Sequence, residues 1–176
     1  LSNFNSFVFD FFVRQSMTGT HLSDYIVKQI PSLPPKVFNQ GINAFITQRV
    51  LELIYTSWDL IAFAQEVWNQ SDTNFKEAIL KEREKNRLTK VISSPQIPGW
   101  IKIIYPELLL TKVFSPSPFI WDDERRFQLR CDLDALFGHL YNLTRDEFDY
   151  ILETFPIVKR KDEAEFGEYR TKRVIL

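Results

Sequence analysis

Glycine is scarce in this chain. Only five occur in 176 residues (Gly19, Gly41, Gly99, Gly138 and Gly167), and no two lie close enough to build a phosphate-cradling turn. Their spacing excludes both the GxGxxG dinucleotide fingerprint and the P-loop. Cysteine is scarcer still: Cys131 stands alone, beside two histidines, His21 and His139. One cysteine excludes an internal disulfide framework and suits a reducing compartment. One cysteine and two histidines are too few for a Cys/His zinc site, so no metal ligand is assigned. No GxSxG elbow is present to activate a serine, and no Glu-x-Lys occurs to complete the common two-metal nuclease pattern. No apolar run has the length needed to cross a bilayer. The N-terminal LSNFNSFVF has neither a charged n-region nor a small-residue cleavage site, so no signal peptide is read there. The expectation is a cytoplasmic protein with no membrane partner, no catalytic residue and no cofactor of its own.

Large apolar side chains are abundant. Hydrophobic residues make up 44% of the chain, and sixteen Phe and four Trp raise the aromatic share to 15%, enough for a sizeable core. The formal net charge of −1 argues against a bulk polyelectrolyte but leaves room for a local basic patch.

Hydrophobic periodicity gives a mainly α reading, a helical bundle with at most a small β element near residues 20–35 and 100–115. Phe4, Phe7, Val8, Phe11 and Phe12 share one stripe of a helix over 3–17, with Gly19 as its stop. Residues 22–30 are a short strand or a short helix. The run Pro31-Ser-Leu-Pro34-Pro35 then forces an extended path and marks a boundary. Two helices fill 37–69, and a charged helix covers 72–88 with Phe75, Ile79 and Leu80 on its thin apolar side. The proline-rich stretch 89–120 is an irregular connection with one short element at 100–105. A helix spans 122–140. Thr144-Arg-Asp-Glu147 is a capping box opening a short helix that Pro156 ends, and 162–176 is one further helix.

Three segments carry a family resemblance. Asn5 to Pro35 (NSFVFDFFVRQSMTGTHLSDYIVKQIPSLPP) resembles the close of a target recognition domain. Arg49 to Val67 (RVLELIYTSWDLIAFAQEV) is similar to a helical segment that follows it. Pro118 to Arg173, through PFIWDDERR, LYNLTRDEFDYIL, TFPIVKRKDE and FGEYRTKR, resembles the C-terminal region of type II restriction–modification adenine-specific DNA methyltransferases. The stretch 70–117 fits less well and reads as a variable insertion. The resemblance implies that 1–35 ends a recognition domain and 36–176 is a C-terminal helical domain. It implies a parent enzyme that methylates adenine with S-adenosylmethionine and can also carry an endonuclease. The Asn/Asp-Pro-Pro-aromatic motif of such methyltransferases is absent, so that chemistry would lie upstream of Leu1. The start at Leu1 without Met, and the apolar VIL close, fit the expectation of a fragment. Its partners would be double-stranded DNA and the upstream methyltransferase domain of the same polypeptide.

Ten residues are candidate DNA contacts. Lys159, Arg160, Lys161, Arg170, Lys172 and Arg173 concentrate positive charge, with guanidinium forks suited to phosphate. The competing reading is a solvated helix face, because Asp162, Glu163, Glu165 and Glu168 sit among them. Arg14, Gln15, Thr20 and His21 border the Gly19 turn and could meet base edges or phosphates, or simply close a helix. A purely structural module without DNA binding is the alternative.

Overall fold

The computed structural model describes residues 2–17, 19, 21–89, 97–106 and 117–176. These are mainly α-helical, and no strand occurs among them. A 3-10 turn at Asn3–Asn5 precedes helix α1 (Phe7–Ser16). The periodic stripe did not foresee that break. Ser6 causes it: its extended backbone and its hydroxyl, 3.2 Å from the Phe9 N–H it accepts, make it an N-cap. Phe4 is therefore left outside the stripe, 57% exposed and tilted against Phe9. α1 closes at Met17, two residues before Gly19.

The segment left open between strand and helix contains one helical turn, α2 (Asp24–Val27), capped by Ser23. α3 (Gln40–Ile54), α4 (Ile61–Gln70) and α5 (Thr73–Thr89) follow, with a 3-10 turn at Trp58–Leu60 before α4. The short element of the proline-rich stretch is helical, α6 (Gly99–Ile104). The other residues of the two regions allowed a β contribution include Thr20 and 107–115, which lie outside the described residues.

α7 (Asp123–Leu140), α8 (Arg145–Glu153), α9 (Pro156–Phe166) and α10 (Arg170–Ile175) complete the chain. The Thr144–Glu147 capping box forms in both directions. Pro156 does not end α8, which stops at Glu153. It opens α9 from the first turn, where a missing N–H costs nothing. The single helix expected over 162–176 is two helices. Gly167 divides them in the left-handed region, φ 75°, a conformation that carries no Cβ penalty for glycine. No described helix is long and apolar enough to cross a membrane.

The chain forms two compact units, and they do not follow the proline run. Residues 1–40 group with 124–176, and 41–123 form the second unit. The first unit is built on the core of Val8, Cys131, Phe148, Ile151, Leu152, Tyr169 and Ile175, with Phe7, Phe11, Phe12 and Phe155 packed against it. The aromatic stripe of α1 is thus core-forming. Tyr141 ties the first unit together at the Asn3 turn and the proline run. Its hydroxyl accepts from Asn3 Nδ2 at 3.2 Å and donates to the Pro31 carbonyl at 3.1 Å.

The second unit has its own core of Leu51, Tyr55, Ile61, Ala64, Phe75, Ile79, Ile101 and Phe119. The Phe119 N–H donates to the Tyr55 carbonyl at 2.8 Å, joining its last segment to the end of α3. Three of these core residues, Phe75, Ile79 and Ile101, come from the stretch read as an insertion. Leu80, assigned to the same apolar side, is 53% exposed.

Candidate functional site

The candidate cations fall on three helices of the first unit; Lys159, Arg170 and Lys172 are half-buried, and Arg14, Arg160, Lys161 and Arg173 are exposed. Arg170 lies between two rings, its guanidinium carbon 4.3 Å from the Phe127 centroid and 4.6 Å from that of Phe166. It also pairs with Glu124, so one side chain rivets α7, α9 and α10 together. Lys172 pairs with Asp149 at 2.9 Å and with Glu153, joining α10 to α8. Lys159 reaches the same Glu153 at 2.8 Å. The hydrogen bonds from Lys159 and then Lys172 hold the Glu153 carboxyl below its ordinary value, and the two ammonium groups are raised in turn. Arg173 pairs with Glu168 at 2.9 Å in the open.

Arg160 and Lys161 are different. Both are exposed on α9, with no ion pair among the described residues. The six cations of the segment therefore do not form one patch. Four are held by carboxylates, and two project from one turn of α9. Alternation of charge along the sequence did signal pairing, but not which residues would pair. Pairing depends on the Gly167 turn, which brings α10 back against α8.

Arg14 is also committed. It donates to the Thr154 carbonyl at 3.0 Å and to Thr154 Oγ1 at 3.3 Å, with its guanidinium over the Phe155 ring at 4.0 Å. The Thr154 carbonyl belongs to the C-terminal end of α8, where a cation complements the helix dipole. Arg14 is thus a positioning residue between α1 and α8. Gln15 and His21 are exposed. Thr20 lies outside the described residues.

Sequence reasoning missed the polar anchor at the other end of α1. Asp134 of α7 accepts the Phe7 N–H at 2.8 Å, reaching across 127 residues to the first turn of α1. Its signal was present in the residues of α7. Besides the stripe of Leu133, Phe137 and Leu140, this helix carries Cys131, Asp134 and Gly138 at helical spacing, a second stripe of small or polar residues. Helices packed on two sides carry two such stripes. A helix N-terminus stabilises a carboxylate by at most about 2 kcal/mol. Burying an unpaired carboxylate costs several kcal/mol. Burial wins: it pushes the Asp134 carboxyl from 3.8 up to about 7, against the smaller lowering by the Phe7 N–H and the Arg130 charge. Burial likewise pushes the Cys131 thiol up to about 12, which leaves it protonated and unreactive.

Among the described residues no group of three His, Cys, Asp or Glu side chains could hold a metal ion. Comparison with protein-family models, curated proteins and solved structures finds no match.

Proposed function

We propose that this chain is a non-catalytic C-terminal part of a restriction–modification adenine DNA methyltransferase. In this reading 124–176 braces the segment 1–35 that ends the recognition domain. One observation carries it: α1 is fixed to the C-terminal helices at both ends, through Phe7 to Asp134 and Arg14 to Thr154. Val8, fully buried between those two anchors, belongs to the same core as Ile151, Leu152 and Ile175. Two segments that share the family resemblance thus make one hydrophobic unit. S-adenosylmethionine belongs to the upstream part of the parent protein. The helices described here offer no Gly-rich turn that fits it, and no step is assigned to them.

Double-stranded DNA remains the macromolecular partner of the assembly. This chain's share of the grip falls to Arg160 and Lys161, with Gln15, His21 and Arg173 exposed beside their helices. The pairing of Lys159, Arg170 and Lys172 with carboxylates favours the second reading, a structural module that binds no DNA by itself.

Fluorescence anisotropy of the chain with a random duplex at several salt concentrations tests both. Each phosphate contact contributes about −0.9 to the slope of log K against log salt. Weak binding with a slope of about −2 is expected if Arg160 and Lys161 make the phosphate contacts. A slope near −5 would mean that all six cations meet phosphates and would overturn the bracing reading. No binding at low salt would favour the structural module.

A further inference from the structure

The N-terminal anchor of α1 is an unusual one. Asp134 is 7% exposed, and its carboxyl group receives one hydrogen bond, from the Phe7 N–H. No ion pair reaches it among the described residues. On its own helix the nearest charge is Arg130, one turn earlier and exposed. On α1 the ionisable groups are Asp10 and Arg14, and these engage each other at 2.9 Å. Cys131 beside it is a buried thiol. A carboxylate formed here would have only the Phe7 N–H and the exposed Arg130 to offset its lost hydration, too little against the burial, and undocking α1 returns it to solvent.

We propose that Asp134 is a proton-operated latch on α1: the neutral carboxyl group holds the helix down, and loss of the proton loosens it. The direction follows from linkage. The docked state keeps its proton at pH values where an exposed aspartate has lost it, because burial has raised the carboxyl from 3.8 to about 7. Docking therefore weakens as pH rises from about 4, by up to tenfold per unit, and levels off once the docked carboxyl has ionised. Across the full window the change is on the order of a thousandfold. α1 is thus held tightest in mild acid and most loosely above neutral pH. The latch rests on the bracing reading only in that α1 is the braced segment. Its test contains no DNA, so failure of the latch and failure of that reading are told apart.

The test is amide hydrogen exchange over Phe7–Ser16 in the whole chain between pH 5 and 8.5, corrected for the intrinsic pH dependence of exchange. The expected result is an opening constant for α1 that rises at least tenfold between pH 5 and 7 and then flattens. Asp134→Asn keeps an acceptor for the Phe7 N–H and removes the titration, so the rise should vanish. A flat opening constant in the parent chain, or the same rise in Asp134→Asn, would overturn the latch. If that variant does not fold, carbon NMR of the Asp134 carboxyl in the parent chain decides the question. A midpoint near neutral pH supports the latch, and one near 4 sinks it.

Discussion

Gly138 lies directly against the ring of Phe148. A Cβ added at that position would stand 2.5 Å from Phe148 Cε1 and 2.6 Å from Cδ1. The ring is buried at 6% exposure, so it cannot swing into solvent to make room. The close approach of α7 and α8 thus depends on one missing methyl group. Gly138→Ala gains about 1 kcal/mol of helix propensity. Against this stands overpacking, about 1–3 kcal/mol in a closed core. The expected net effect is a lower urea midpoint with an unchanged m-value. In the Gly138→Ala background, Phe148→Leu should cost less than it does alone, because the pair is in contact. A raised midpoint for Gly138→Ala would show that α7 and α8 have slack here.

Arg14 separates two roles by geometry. Lysine keeps the charge but loses the fork to Thr154 and the flat stack on Phe155. If Arg14 works as a positioning residue, Arg14→Lys lowers stability by about 1 kcal/mol and leaves the salt slope of duplex binding unchanged. If it contacts phosphate instead, lysine should preserve stability and affinity together. Chemical denaturation and anisotropy on the same variant read both.

Stability should peak in mild acid. Between 3.8 and about 7 the folded chain holds a proton on Asp134 that the unfolded chain has released. Rising pH therefore favours unfolding across that window, by an amount on the order of 4 kcal/mol at most. Glu153 acts in the opposite sense. Its folded carboxyl is depressed, so its contribution is present above the ordinary value of 4.5 and is lost as pH falls below it. The two trends place the maximum between the ordinary carboxyl values of 3.8 and 4.5. In Asp134→Asn the acid limb persists and the decline toward neutrality disappears. Denaturant melts from pH 3.5 to 8 measure this, and a parent chain most stable at pH 8 would contradict it.

Much of the helical order was legible because local chemistry fixes it. The Thr144–Glu147 reciprocity and the helical periods over 37–69 and 122–140 depend on residues a few positions apart, whereas Tyr55, read as part of a polar strip, is core. What could not be read is long-range. The Phe7–Asp134 and Arg14–Thr154 anchors join residues more than 120 apart, and the local spacing that turns Asp134 inward does not name its partner. The proline run lies a few residues before the break at Gln40, but it carries no sign that 124–176 joins the segment before it. An extended path does not decide which core the flanking segments share. The candidate cations were found as a composition, but their division into paired and free depends on how Gly167 turns α10 back.

That division gives the last test. Arg160→Gln with Lys161→Gln removes the two unpaired cations of α9. No hydrogen bond or ion pair is lost, so the unfolding midpoint should stay within about 0.5 kcal/mol of the parent. Any duplex binding should weaken, with the salt slope reduced by about two. Lys172→Met has the reverse signature. It strips Asp149 and Glu153 of a shared partner between α8 and α10, at a cost of about 1 kcal/mol, while the salt slope is retained. The two variants form a crossed pair, one changing affinity without stability and the other stability without affinity. If both lower the salt slope equally, Lys172 leaves its carboxylates to meet DNA, and the C-terminal helices must rearrange on binding.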